Sequence, residues 1–122
     1  MPLKLLADTE CEELHEALVV NVLGPFRLTK ALFGALTASA REGRGAAVVN
    51  ISSDAAVSAY SGWGAYGAAK AALSHMTAIW AEEAKGEGVS ESTVWTRIAR
   101  VSIPRRVSSS AGRSKTSFRQ SL

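Results

Sequence analysis

The chain is 122 residues long, 47% hydrophobic and carries a net charge of +3, which suits one soluble globular domain with a core of its own. Its single cysteine, Cys11, excludes an internal disulfide, and with His15 and His75 as the remaining soft ligands no cluster has the spacing of a metal site. No apolar run nears the roughly 20 residues that cross a bilayer, and the first ten residues lack a basic start followed by an apolar block, so a cytoplasmic protein that meets no membrane is expected.

The charge is unevenly spread. Residues 1–89 hold seven Lys and Arg against ten Asp and Glu, whereas residues 90–122 hold seven against the lone Glu91 and also carry nine serines. That second stretch has no long apolar period. Composition therefore places a boundary near Val89, with residues 90–122 expected as a basic, Ser-rich tail, either disordered or the product of a shifted reading frame.

Residues 1–9 read as a loop, with Asp8 or Thr9 able to cap a helix whose first turn carries Glu10, Glu12 and Glu13, as the helix dipole favours. Leu14, Leu18, Val22 and Phe26 recur at four-residue steps, and the pattern continues through Leu28, Leu32 and Leu36, predicting one long helix with a buried stripe. Inside it stands Gly24-Pro25. Pro25 has no amide hydrogen for the carbonyl of Asn21, so the helix either kinks there or holds an ordered water beside the Asn21 side chain.

After a Gly-rich connection over residues 41–45, Ala46-Ala47-Val48-Val49-Asn50-Ile51 is short, apolar and β-branched, predicting a strand buried on both faces of a parallel sheet. It stops at Ser52-Ser53, and in open parallel sheets the carboxyl ends of strands form the ligand crevice. Residues 54–64 form a loop of small residues with Tyr60 and Trp63 as its bulky members. From Ala65 onward Ala68, Ala69, Ala72, Leu73, Met76, Ile79 and Trp80 predict a second helix so apolar that it must be buried on more than one side, ending at Lys85-Gly86.

The chemistry gathers at Tyr66-Gly67-Ala68-Ala69-Lys70. Side chains four residues apart share a helix face. A free Tyr titrates near ~10, too high for ready proton exchange at neutral pH, and a nearby ammonium favours the phenolate. Such a pair suits an acid/base.

Three segments together, Asn21-Val22-Leu23-Gly24-Pro25-Phe26, Val48-Val49-Asn50-Ile51-Ser52-Ser53 and Tyr66-Gly67-Ala68-Ala69-Lys70, resemble the short-chain dehydrogenase/reductase family over roughly residues 3–89, with Ser53 thirteen residues before Tyr66. The resemblance implies an α/β fold: a partial Rossmann-like fragment of a doubly wound parallel sheet, two long helices around one or two strands, with residues 1–89 as the C-terminal half of the nucleotide-binding domain. It implies four catalytic positions, Asn21, Ser53, Tyr66 and Lys70. Tyr66 would exchange a proton with a substrate carbonyl or alcohol, Ser53 would hydrogen-bond the same oxygen, and Lys70 would hold the nicotinamide ribose. Asn21 would hold a water that relays protons to Lys70. Tyr66 and Lys70 would therefore also contact the cofactor, NAD or NADP.

The family's Gly-rich turn for the pyrophosphate and its Asn-Asn-Ala-Gly strand end are absent from the sequence, so the expected oxidoreductase is inactive as this fragment. The alternative is a non-catalytic interaction module. The expected partners are a small carbonyl or alcohol compound and a second copy, the latter through the two long helices. The basic tail permits phosphate contact yet shows no nucleic-acid motif, so nucleic acid is not expected.

Overall fold

The computed structural model describes residues 3–96. Helix α1 (Cys11–Leu18) leads through a π-helical segment (Val19–Leu23) directly into α2 (Gly24–Arg41). Strand β1 (Ala47–Ser53), helix α3 (Gly64–Glu83) and strand β2 (Ser90–Thr96) follow. β1 and β2 pair in parallel, Ala47 opposite Ser90 and Ser53 opposite Thr96. Parallel neighbours need a crossover, and α3 supplies it, so β1, α3 and β2 form one βαβ unit with α1 and α2 laid against α3.

The π segment falls where Pro25 lacks its amide hydrogen. The Gly24 N–H reaches back five residues to the Val19 carbonyl, widening the turn that contains Asn21. An extra residue in one turn rotates everything after it. After it the inward residues run Phe26, Thr29 and Phe33, in steps of three and four, while Val19, Asn21, Val22 and Leu23 within the segment are all half-buried. The expected stripe survives only in part, because Leu14, Leu18, Leu28 and Leu32 are exposed. Helix α1 also starts later than expected: Glu10 is its cap, the Glu10 N–H donates to Glu13 Oε2 at 2.9 Å, and the Thr9 hydroxyl turns away to the Leu5 carbonyl.

Helix α3 is buried on two sides, as its composition requires. On one, Ala65 and Ala69 pack against Ala17 of α1, three small side chains that let the helix axes approach closely. Further along, Trp80 meets Phe26 and Phe33 of α2 with ring centroids 5.5 and 5.9 Å apart. The other side of α3 faces the sheet, and there the contacts are polar. Asn50 Nδ2 donates to Thr77 Oγ1 at 3.0 Å, and Ser74 Oγ donates to Ser52 Oγ at 2.6 Å. These two bonds fix how far along the strand the helix sits.

Strand β1 departs from its expected burial on both faces. Asn50 and Ser52 face α3, while Val49 and Ile51, which alternation puts on the other face, are 54% and 58% exposed. Among the described residues, no helix covers that face. The expected boundary at Val89 is not where the sheet ends, since residues 90–96 continue as β2, while residues 97–122 of the expected tail lie outside the described residues. Gly88 makes the turn into β2 with φ 72°, a conformation open to glycine at little cost.

The continuous helix Cys11–Arg41, unlike the expectation from its sequence, is long and apolar enough to cross a membrane by length and composition alone. Arg27 and Lys30 stand near its middle, and α3 packs along one side of it.

Candidate active site

The carboxyl end of β1 meets the first two turns of α3. Ser53, the last residue of the strand, is fully buried and caps the following turn: its Oγ accepts from the Ala55 N–H at 3.2 Å. Its hydroxyl donates to Asp54 Oδ1 at 3.3 Å, and Tyr60 donates from the overlying loop to Asp54 Oδ2 at 2.8 Å.

Helix α3 sits close to this turn because residue 67 has no side chain. A Cβ on Gly67 would stand 2.8 Å from the Ala55 carbonyl oxygen, inside van der Waals contact. The backbone one residue after Tyr66 thus rests on the backbone two residues after Ser53. Tyr66 is half-buried, and its ring meets the edge of Trp63 with centroids 5.5 Å apart.

Lys70 lies one turn further on. Its Nζ stands 5.7 Å from the centre of the Tyr66 ring and donates to the Ile51 carbonyl of β1 at 2.9 Å. Burial of the ammonium holds its pKa below the ordinary lysine value. The Lys70 carbonyl lies 2.9 Å from Ser74 Oγ and 3.3 Å from Ser52 Oγ; with the Ser74 hydrogen given to Ser52, the Ser52 hydroxyl is the one that donates to this carbonyl. One strand end therefore fixes both the backbone and the ammonium of this turn.

Asn21 is placed differently. It occupies the π segment that packs against α3, but its side-chain amide is turned along its own helix, Nδ2 donating to the Ala17 carbonyl at 2.9 Å. Ser53, Tyr66 and Lys70 thus share one end of the βαβ unit, with Asn21 on the neighbouring helix behind them. A cleft of about 320 Å³ opens on the Tyr66 side, walled by Leu3, Gly62, Trp63, Ala65 and Tyr66 together with the Lys4–Glu13 ion pair. That pair spans 2.7 Å; its hydrogen bond raises the Lys4 pKa and lowers that of Glu13.

Asp54 and Ser52 went unmarked by sequence reasoning. Asp54 had a signal, an acid directly after the strand-end serine. Ser52 had none, because which of two adjacent serines faces the helix depends on the register of β1 against α3.

Comparison with known proteins extends the description. The sequence matches the family model described as short chain dehydrogenase over residues 2–110, which reaches past Val89 into the segment expected to be a tail. A protein described as NADPH-dependent aldehyde reductase-like, chloroplastic, from Arabidopsis thaliana is 34% identical over 89 residues, 73% of this chain and 32% of the relative. Among solved structures, a short-chain dehydrogenase from Streptomyces avermitilis is 32% identical with a TM-score of 0.65, covering 78% of this chain and 33% of that one. A 3-ketoacyl-(acyl-carrier-protein) reductase from Brucella melitensis complexed with NADH shares the fold, with a TM-score of 0.73 at 20% identity, over 77% of this chain and 39% of that one. The chain spans about a third of the length of these relatives.

Proposed function

The chain belongs to the short-chain dehydrogenase family, and from that membership we propose that it carries the acid/base half of a carbonyl/alcohol oxidoreductase site dependent on NAD or NADP. One observation supports this most strongly: the ammonium of Lys70, anchored to the strand end at Ile51, stands beside the Tyr66 ring. Tyr66 is the group that gives a proton to a carbonyl oxygen or takes one from an alcohol. An ammonium has three hydrogens; the Ile51 carbonyl takes one and orients the others, a fit for the hydroxyls of a nicotinamide ribose. NAD or NADP, when bound, supplies or accepts the hydride. Ser53 shares the substrate oxygen with Tyr66, and Asn21 orders a water behind Lys70. The loop that carries Tyr60 and Trp63 suits an apolar or flat carbonyl compound; Trp63 and Tyr66 also wall the cleft, which Ser53 and Lys70 do not line.

The pyrophosphate and adenosine of the cofactor have no Gly-rich turn to seat them in this sequence, so turnover by the chain alone is expected to be weak or nil. The test joins residues 1–122 behind the nucleotide-binding half of the Streptomyces avermitilis relative and supplies NADH or NADPH with a small apolar ketone. Turnover is expected there, and Tyr66→Phe should lower kcat by roughly 10²-fold or more, since it removes the transferable proton and keeps the ring. Undiminished turnover in that variant would refute the assignment.

A second reading, an interaction module built from the same fold, is favoured by the apolar residues left exposed along the long helix, Leu28 among them at 63%.

A further inference from the structure

Asp54 faces the strand-end serine from the next position in the chain, and no role in proton or hydride transfer falls to it. We propose that Asp54 is a positioning residue that decides whether Ser53 presents a hydrogen-bond acceptor or a donor to the substrate oxygen. This rests on the reading of Ser53 as a group that meets the substrate.

A serine hydroxyl has one hydrogen and two lone pairs. At Ser53 the geometry commits most of them: Oγ accepts from the Ala55 N–H at 3.2 Å and its hydrogen points to Asp54 Oδ1 at 3.3 Å. A carboxylate can only accept, so the direction of that bond is fixed. Tyr60 donates to the opposite oxygen, Oδ2, at 2.8 Å and holds the carboxylate in this orientation. What Ser53 retains is a lone pair. Because Ser53 is fully buried, a ligand reaches it only by displacing a neighbour, and the hydroxyl is already committed when it arrives.

A lone pair suits an alcohol, which donates, and not a carbonyl, which needs a donor. A carbonyl would have to win the hydrogen from a charged acceptor, which holds it here through a long bond of 3.3 Å. Asp54 therefore biases the site toward the alcohol form of a substrate pair. Asp54→Asn reverses the bias at nearly constant shape. An amide that keeps the Tyr60 bond through its oxygen turns its nitrogen to Ser53 and donates, which frees the serine hydrogen for a carbonyl.

The test uses the isotope-labelled chain itself, titrated separately with cyclohexanone and cyclohexanol while the Ala55 amide resonance is followed, since that N–H bonds Ser53 Oγ. The wild-type chain should bind the alcohol more tightly, and Asp54→Asn should lower the ketone-to-alcohol ratio of Kd values by at least about threefold, the worth of one net hydrogen bond. Ser53→Ala in either background should leave that ratio insensitive to residue 54. If Asp54→Asn does not fold, Asp54→Ala must give the same fall, because it too releases the hydrogen. An unchanged ratio, a wild-type preference for the ketone, or no saturable Ala55 shift with either compound overturns the proposal. A shifted ratio in a chain that fails to bind NADH or NADPH would remove the oxidoreductase reading and leave this one standing; cofactor binding with an unchanged ratio would do the reverse.

Discussion

Lys70 carries its charge where burial disfavours it, and that sets a stability trend with pH as well as a chemical role. Its native pKa is depressed from the ordinary 10.5, so below the native value both folded and unfolded chains are protonated and the full penalty is present. As pH rises between the native value and 10.5 the unfolded chain binds more protons than the folded one, and stability increases. The melting temperature should therefore gain an alkaline rise that Lys70→Met abolishes, a comparison made by circular dichroism from neutral pH to above 10.5. Equal slopes in the two proteins would contradict it. The Tyr66 and Lys70 spacing was legible in the sequence because a helix turn fixes it. The part played by Asp54 was not, because it arises from a hydroxyl orientation that only the folded turn defines.

Among the elements, both long helices could be read from their apolar periods, and Pro25 marked the place of the π segment before any geometry was known. The burial of the stripe could not: the inserted residue rotates the face after it, to which Leu28 and Leu32 belong, and nothing in the sequence marks Leu14 and Leu18, which precede it, as exposed. Strand β2 was also missed: Ser90-Glu91-Ser92-Thr93 shows no apolar run, and its pairing is a backbone match to β1 in which composition has little voice. Two glycines on helices separate space from contact. Among the described residues nothing would lie within 4 Å of a Cβ at Gly34 in α2, so Gly34→Ala should stabilise the fold by roughly 0.5–1 kcal/mol through the entropy of the unfolded chain. Gly67 rests on the Ala55 carbonyl, and Gly67→Val should destabilise by about 1–3 kcal/mol by forcing α3 off the turn that holds Ser53. Urea unfolding of the two variants checks both signs.

For the whole molecule, one sheet face and one long helix leave apolar side chains in water. Val49 and Ile51 open one face of β1, and Leu28 and Leu32 open α2. We propose that the exposed leucines of α2 mediate self-association. Sedimentation equilibrium is expected to show concentration-dependent association that Leu28→Glu with Leu32→Glu weakens; association unchanged by that pair would contradict assembly through the helices. The general family likeness was legible because three short segments keep their order and spacing, whereas the extent of the sheet was hidden by the serine-rich composition after Val89. The central claim is that Tyr66 and Lys70 face a nicotinamide cofactor, with Ser53 beside them at the substrate oxygen. It is tested most directly by titrating the isotope-labelled chain with NADPH and NADH at millimolar concentration and following the backbone amides. Saturable shifts gathered at Ser53, Tyr66 and Lys70 and lost in Lys70→Met are the result expected; shifts confined to other parts of the chain, or none with either cofactor, would contradict the claim.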